Sequence, residues 1–129
     1  MKQFKSAAAV VFVLILSVQV FAGQKNSVNS NVEKNLVIGL QSDNLGLKTS
    51  SAYLLGEIGT SSSVIALMKV LKSGNTEEER ISAALALTKI NTDKAMFAVK
   101  QRAKYDESER VRRCCSMLYQ QNVMDKART

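Results

Sequence analysis

Residues 47–59 read LKTSSAYLLGEIG, and residues 79–91 read ERISAALALTKIN. Laying Leu55 over Leu87, 32 positions on, places Lys48 on Arg80, Ser51-Ala52 on Ala83-Ala84 and Ile58 on Ile90. The segments just before them repeat as well: NLVIGLQSDN at 35–44 lies over ALMKVLKSGN at 66–75 with a spacing of 31. A weaker third copy follows, AMFAVKQRAK at 95–104 and then ERVRRCCSML at 109–118, in which Cys114 and Cys115 fall near the small pair Ala83 and Ala84. Three units of about 31 residues result, over 31–59, 62–91 and 93–122.

Each unit holds two apolar runs at helical spacing. Leu36, Val37 and Leu40 mark one face of the first helix, and Leu67, Met68 and Leu71 the matching face of the third. Ser30-x-x-Glu33, Thr76-x-x-Glu79 and Asp106-x-x-Glu109 read as helix starts, where a side-chain oxygen caps free backbone amides. Ser42-Asp43-Asn44 and Ser73-Gly74-Asn75 read as turns. The expectation is six helices near 31–41, 45–58, 62–73, 77–90, 93–104 and 108–122, with no strands. Ser50, Ser51 and Ala52 are then packing residues that let helix axes approach closely. Gly56 thins its helix, and Gly59 suits the left-handed conformation that ends one.

The pattern Lys48-x-x-Ser51-Ala52-x-x-Leu55-Gly56-x-Ile58-Gly59, with Arg80-x-x-Ala83-Ala84-x-x-Leu87-x-x-Ile90, resembles HEAT repeats, in particular the short HEAT-like repeats named after phycobilisome lyases. The resemblance covers about residues 31–122. It implies an all-α fold, an armadillo-type α-solenoid of about three stacked helical hairpins whose inner helices line a concave surface that holds protein partners. The chain departs from the pattern in having no proline, in placing Thr88 and Asn91 where the first unit has glycines, and in its irregular third unit. A repeat of this kind cannot bury its apolar face alone, and about three units are the minimum for independent stability.

At 129 residues there is room for one modest domain. The first 22 residues read as a signal peptide: MKQFK is a basic start, Ala7–Val20 is an apolar run, and small residues precede a cleavage point near Ala22. The run is shorter than the ~20 residues a bilayer-spanning helix needs, so retention as an anchor is the competing reading. An exported protein, periplasmic or secreted, is expected. Residues 23–30 form a flexible lead-in, and 123–129 a frayed tail.

The formal charge of +7 falls to +5 without Lys2 and Lys5. From Gly23 to Thr88 six basic side chains meet six acidic ones, whereas Lys89–Thr129 holds ten basic and five acidic, so the excess lies in the last third. Arg110, Arg112 and Arg113 fall on the last helix, with Lys94, Lys100, Arg102 and Lys104 on the one before it. Two readings compete: a solvated polar end cap, or contact with an anionic partner.

The chain has no histidine, which removes the commonest general base and metal ligand together. There is no nucleophile elbow and no glycine-rich phosphate loop. No catalytic residue, cofactor or metal is expected, and Glu77, Glu78 and Glu79 read as complements to a helix dipole. Cys114 and Cys115 are adjacent, too close in a helix for a mutual disulfide. They are either packed small residues or a source of an intermolecular disulfide, and hence of a dimer.

The expected function is that of a non-enzymatic interaction scaffold. The candidate contacts are Lys48, Arg80, Lys100, Lys104, Arg110 and Arg113, and the partner is an envelope protein with an acidic surface. Peripheral binding to anionic lipid or another polyanion through the basic last third is the alternative. Nucleic acid is a poor candidate, since only Tyr105 and Tyr119 lie near enough to stack on bases.

Overall fold

Asn44, Thr60, Thr76, Thr92 and Ser108 each stand in extended backbone and accept a hydrogen bond from an amide three residues ahead. These five side chains open five helices. The computed structural model describes residues 30–129, so the expected signal peptide over 1–22 and most of the expected lead-in over 23–30 lie outside the described residues. Among the described residues the chain is all-helical: α1 (30–39), α2 (Leu45–Ile58), α3 (Ser61–Ser73), α4 (Glu77–Ile90), α5 (Asp93–Tyr105) and α6 (Glu109–Arg128). No helix among them is long and apolar enough to cross a membrane.

Two kinds of connection alternate. Between α2 and α3, and again between α4 and α5, the chain turns in two residues: one left-handed, then a threonine cap. The left-handed residue is Gly59 (φ 69°) in the first case and Asn91 (φ 57°) in the second, 32 positions on. Asparagine tolerates this region better than other side-chain-bearing residues, which explains how the second unit manages without glycine. The α3–α4 turn needs Gly74 for a different reason, since a Cβ there would lie 2.7 Å from the Val70 carbonyl oxygen.

Glu33–Thr129 form one compact unit. Within it α4 packs against α2 on one side and α6 on the other, α3 contacts α5, and α3 and α5 each contact the helix that follows. The even-numbered helices therefore meet in series. Leu55, Leu67, Leu71, Leu87, Val99, Val111 and Cys115 are fully buried, interleaved with Ala52, Ala83, Ala84, Ala86 and Ala95. The small residues set the crossing distances: a Cβ on Gly56 would lie 3.0 Å from the Ala86 Cα, and one on Gly39 would collide with the Ser51 hydroxyl. Ser51 and Ala52 are buried as expected, but Ser50 is exposed.

Two further expectations need correction. Asp106 does not cap the last helix; Ser108 does, and Asp106 is buried beneath it, accepting from the Ser108 amide at 2.9 Å. The segment expected to fray, 123–129, continues α6 to Arg128, with a Gln121–Asp125 side-chain hydrogen bond one turn apart.

Candidate functional site

The repeat places a basic side chain at the same point of each even-numbered helix: Lys48, Arg80 and Arg112, 32 positions apart. None of the three is free. Lys48 donates to Glu79 at 3.1 Å, and the other oxygen of Glu79 accepts from the Asn75 amide. Arg80 forks onto Asp106 through Nε (3.1 Å) and Nη2 (3.2 Å), while Nη1 donates to the Gly74 carbonyl six residues back. Arg112 repeats that last bond in its own unit, donating to the Asp106 carbonyl, also six residues back, at 2.6 Å. A guanidinium can satisfy a turn carbonyl and a carboxylate at once because it carries five donors in a fixed fork.

The side chains of Arg80 and Asp106 are 6% and 1% exposed. Arg80 was expected to face a partner; its burial turns that charge inward, where it ties α4 to the α5–α6 turn. Arg102 approaches the same carboxylate at 3.7 Å from α5. Lys48 is half-buried, on the wall of a groove of about 510 Å³ lined by Val37, Leu40, Ile65 and Val70, with Glu79 beside it.

Arg110 and Arg113 lie together on α6, in a groove of about 670 Å³ against α4 that also holds Ile81, Cys114 and Met117. Both are ion-paired. Arg110 bridges Glu77 (3.2 Å) and Glu78 (2.9 Å) of the preceding unit, and Arg113 pairs with Glu109 one turn earlier. Hydrogen bonds from the Ser108 hydroxyl and then from Arg110 hold the Glu77 carboxyl below its usual range. A backbone amide and then Arg110 do the same for Glu78, and the two carboxylates raise Arg110 in turn. Glu77 and Glu78 are thus more than complements to a helix dipole. Lys100 and Lys104 do not join this groove: they project from α5, with their ammonium groups 5.4 Å from the Tyr119 ring and 5.2 Å from the Tyr105 ring.

Both cysteines are free thiols. Cys115 is fully buried, and desolvation, then the neighbouring Cys114 thiol, push its pKa up to about 12. Cys114 is half-buried; burial raises its pKa, against a smaller lowering by Arg110. Of the two residues considered for a disulfide with another chain, only Cys114 reaches solvent.

The even-numbered helices carry one surface feature not anticipated from the pattern of charges. Tyr53, Leu85 and Met117, again 32 positions apart, are 62%, 50% and 63% exposed. They stand on α2, α4 and α6, the helices that meet in series. Lys89 of α4 lies 5.5 Å from the Tyr53 ring and pairs with Glu57, which places Tyr53, Glu57 and Lys89 on a common surface across α2 and α4. The equal spacing was legible in the sequence; the solvent exposure of all three rungs was not.

Comparison with protein-family models and with curated proteins finds no match to this chain.

Proposed function

We propose that the chain is a non-enzymatic, exported protein-interaction module: a short α-solenoid of three HEAT-like hairpins that holds a partner protein across its even-numbered helices and their basic C-terminal end. The serial contact of α2, α4 and α6 supports the stacked reading. So do the polar bridges Lys48–Glu79, Glu57–Lys89, Glu77–Ser108 and Asn91–Asn122, which all join residues 31 or 32 apart. Export rests on the basic start and apolar run of residues 1–22.

The exposed row Tyr53–Leu85–Met117 carries the functional reading. Aromatic and Met side chains are favoured at interface cores, where their area is desolvated on binding, while charges belong at the rim. Here the neighbouring charges Lys89, Glu57, Arg110 and Arg113 are already neutralised within the fold, so a partner covering the row leaves no uncompensated ion. Packed helix axes are ~8–10 Å apart, which sets the spacing between rungs. A partner helix offers apolar residues seven apart at ~10.5 Å, a near match.

A photo-reactive amino acid placed in turn at 53, 85 and 117 of the tagged full chain tests the reading in cells. The expected outcome is one adduct of the same mass from all three positions, and none from position 35 on α1. Adducts of equal yield from position 35, or none at 85 and 117, would overturn it.

A further inference from the structure

Among the described residues most cations of the even-numbered helices are paired or tied to carbonyls, whereas on the odd-numbered helices Arg102 pairs with Asp106 and the lysines do not pair. Lys34 on α1, Lys69 and Lys72 on α3, and Lys94, Lys100 and Lys104 on α5 have no carboxylate within ion-pair distance among the described residues, and all six are exposed. Residues 1–29 contain no Asp or Glu. Acidic groups are scarce on these helices: α3 has none, Asp93 is the one on α5, and Glu33 on α1 is held by the hydroxyls of Thr60 and Ser63.

The lysines share their surface with exposed apolar groups. Ile65, Lys69 and Lys72 are spaced to lie on one face of α3, and Phe97, Lys100 and Lys104 on one face of α5. α3 and α5 are in contact, and Lys72 and Phe97 line a shared groove of about 170 Å³ with Met68 and Gln101. Ile65 and Phe97, 32 positions apart, are 59% and 61% exposed. Unpaired lysines around protruding Ile and Phe fit the boundary of an anionic bilayer, where ammonium groups reach headgroup phosphates and apolar side chains enter the acyl region.

We infer that the α3–α5 face is a docking surface for an anionic lipid bilayer, separate from the protein-binding row on the even-numbered helices. The basic excess of the last third is only partly available, because Arg110, Arg112 and Arg113 of α6 are engaged by Glu77, Glu78, Glu109 and backbone carbonyls, while Lys94, Lys100 and Lys104 of α5 are not. Charge complementarity selects the bilayer's sign, and Ile65 and Phe97 select a bilayer over a soluble polyanion.

The test is co-sedimentation of the full chain with phosphatidylcholine vesicles, with and without phosphatidylglycerol. The ratio of the two partition coefficients is the readout, because the neutral vesicles account for any binding by the apolar run 7–20. Each lysine near an anionic surface contributes about fivefold. Replacing Lys69, Lys72 and Lys104 by serine is expected to lower the ratio about 100-fold, and replacing the same three by arginine to preserve it. Raising the salt from about 0.1 M to about 1 M, where the Debye length shrinks from ~10 to ~3 Å, is expected to collapse the ratio. Phe97→Ser is expected to weaken binding to anionic vesicles and leave binding to inorganic polyphosphate unchanged. Retention of the ratio by the triple serine variant would overturn the inference, as would an equal loss in a Lys126→Ser, Arg128→Ser control. Polyphosphate binding with no anionic-vesicle preference would replace the bilayer with a soluble polyanion. The thermal melt of each variant, expected to match the parent because the residues are exposed, verifies folding.

Discussion

Replacing Asp106 by asparagine removes one charge from the most buried ion pair among the described residues while keeping an oxygen able to accept from the Ser108 amide. The Arg80 guanidinium would then face a neutral amide inside the protein, with its Nη1 bond to Gly74 intact and only Glu107, 3.6 Å away and 86% exposed, as an alternative carboxylate. Removing one partner of a buried pair costs about 3–5 kcal/mol, because the remaining ion has lost water and gained nothing in exchange. For a unit of this size each kcal/mol moves the melting point by about 4–8 °C, so a fall of at least ~12 °C is expected. Asparagine still offers one acceptor to the fork, which favours the lower end of the range.

Thermal and urea unfolding followed by circular dichroism measure the change, on the parent, Asp106→Asn, Arg80→Met and the double variant Arg80→Met, Asp106→Leu. If the pair is worth its geometry chiefly through the harm done by breaking it, each single variant is destabilised and the double one recovers much of the loss. A melting point for Asp106→Asn within ~3 °C of the parent would refute the claim that Arg80 depends on this carboxylate. A double variant as unstable as the summed singles would refute the claim that the pair acts as a unit.

Other substitutions probe separate links. Leu87→Ala, at the fully buried centre of α4, is expected to cost about 2–5 kcal/mol in urea unfolding. Gly56→Ala drives a methyl to within 3.0 Å of the Ala86 Cα and is expected to cost about 1–3 kcal/mol as overpacking, measured the same way. Arg110→Ala tests the exposed pairs with Glu77 and Glu78. Since those carboxyls titrate lower in the folded chain than their ordinary 4.5, the stability they contribute is present above that value and disappears as the pH falls through the lowered folded values. The variant should therefore melt below the parent at neutral pH and converge with it in acid. Iodoacetamide followed by mass spectrometry should label Cys114 slowly and Cys115 only with denaturant, as its burial requires.

Much of the fold was open to a reading of local patterns because its helix boundaries are set locally. The threonine at 76 and the αL positions at 59 and 91 act within one turn, and the bounds expected for α2 and α4 coincide with those observed. Asp106 failed as a cap for a non-local reason: Arg80, 26 residues away, claims its carboxylate, and the cap passes to Ser108. The same distance hid the burial of Arg80, which no window around residues 80–90 discloses. Arg112 is not among the candidate contacts read from the sequence, yet it stands in register with Lys48 and Arg80 and repeats the latter's bond to a turn carbonyl. The candidate site was less legible than the fold, since exposure at 53, 85 and 117 depends on which helices become neighbours.

One period accounts for the separation of the two surfaces. Residues 31–33 apart are neighbours across α2, α4 and α6, so acids and bases at those spacings neutralise each other between consecutive even-numbered helices. Glu57 with Lys89, Lys48 with Glu79, and Glu77 and Glu78 with Arg110 do this along the even-numbered helices. The odd-numbered helices carry lysines without acids at the complementary positions: Lys72 is followed 32 positions later by Lys104, and Ser62 by Lys94. Stacking therefore cancels charge on one row and accumulates it on the other. An apolar row framed by neutralised pairs suits a protein partner, whereas an uncancelled lysine field with protruding Ile65 and Phe97 suits an anionic membrane surface. The two proposed sites follow from the same repeat, differing only in whether the opposing charge recurs one period on.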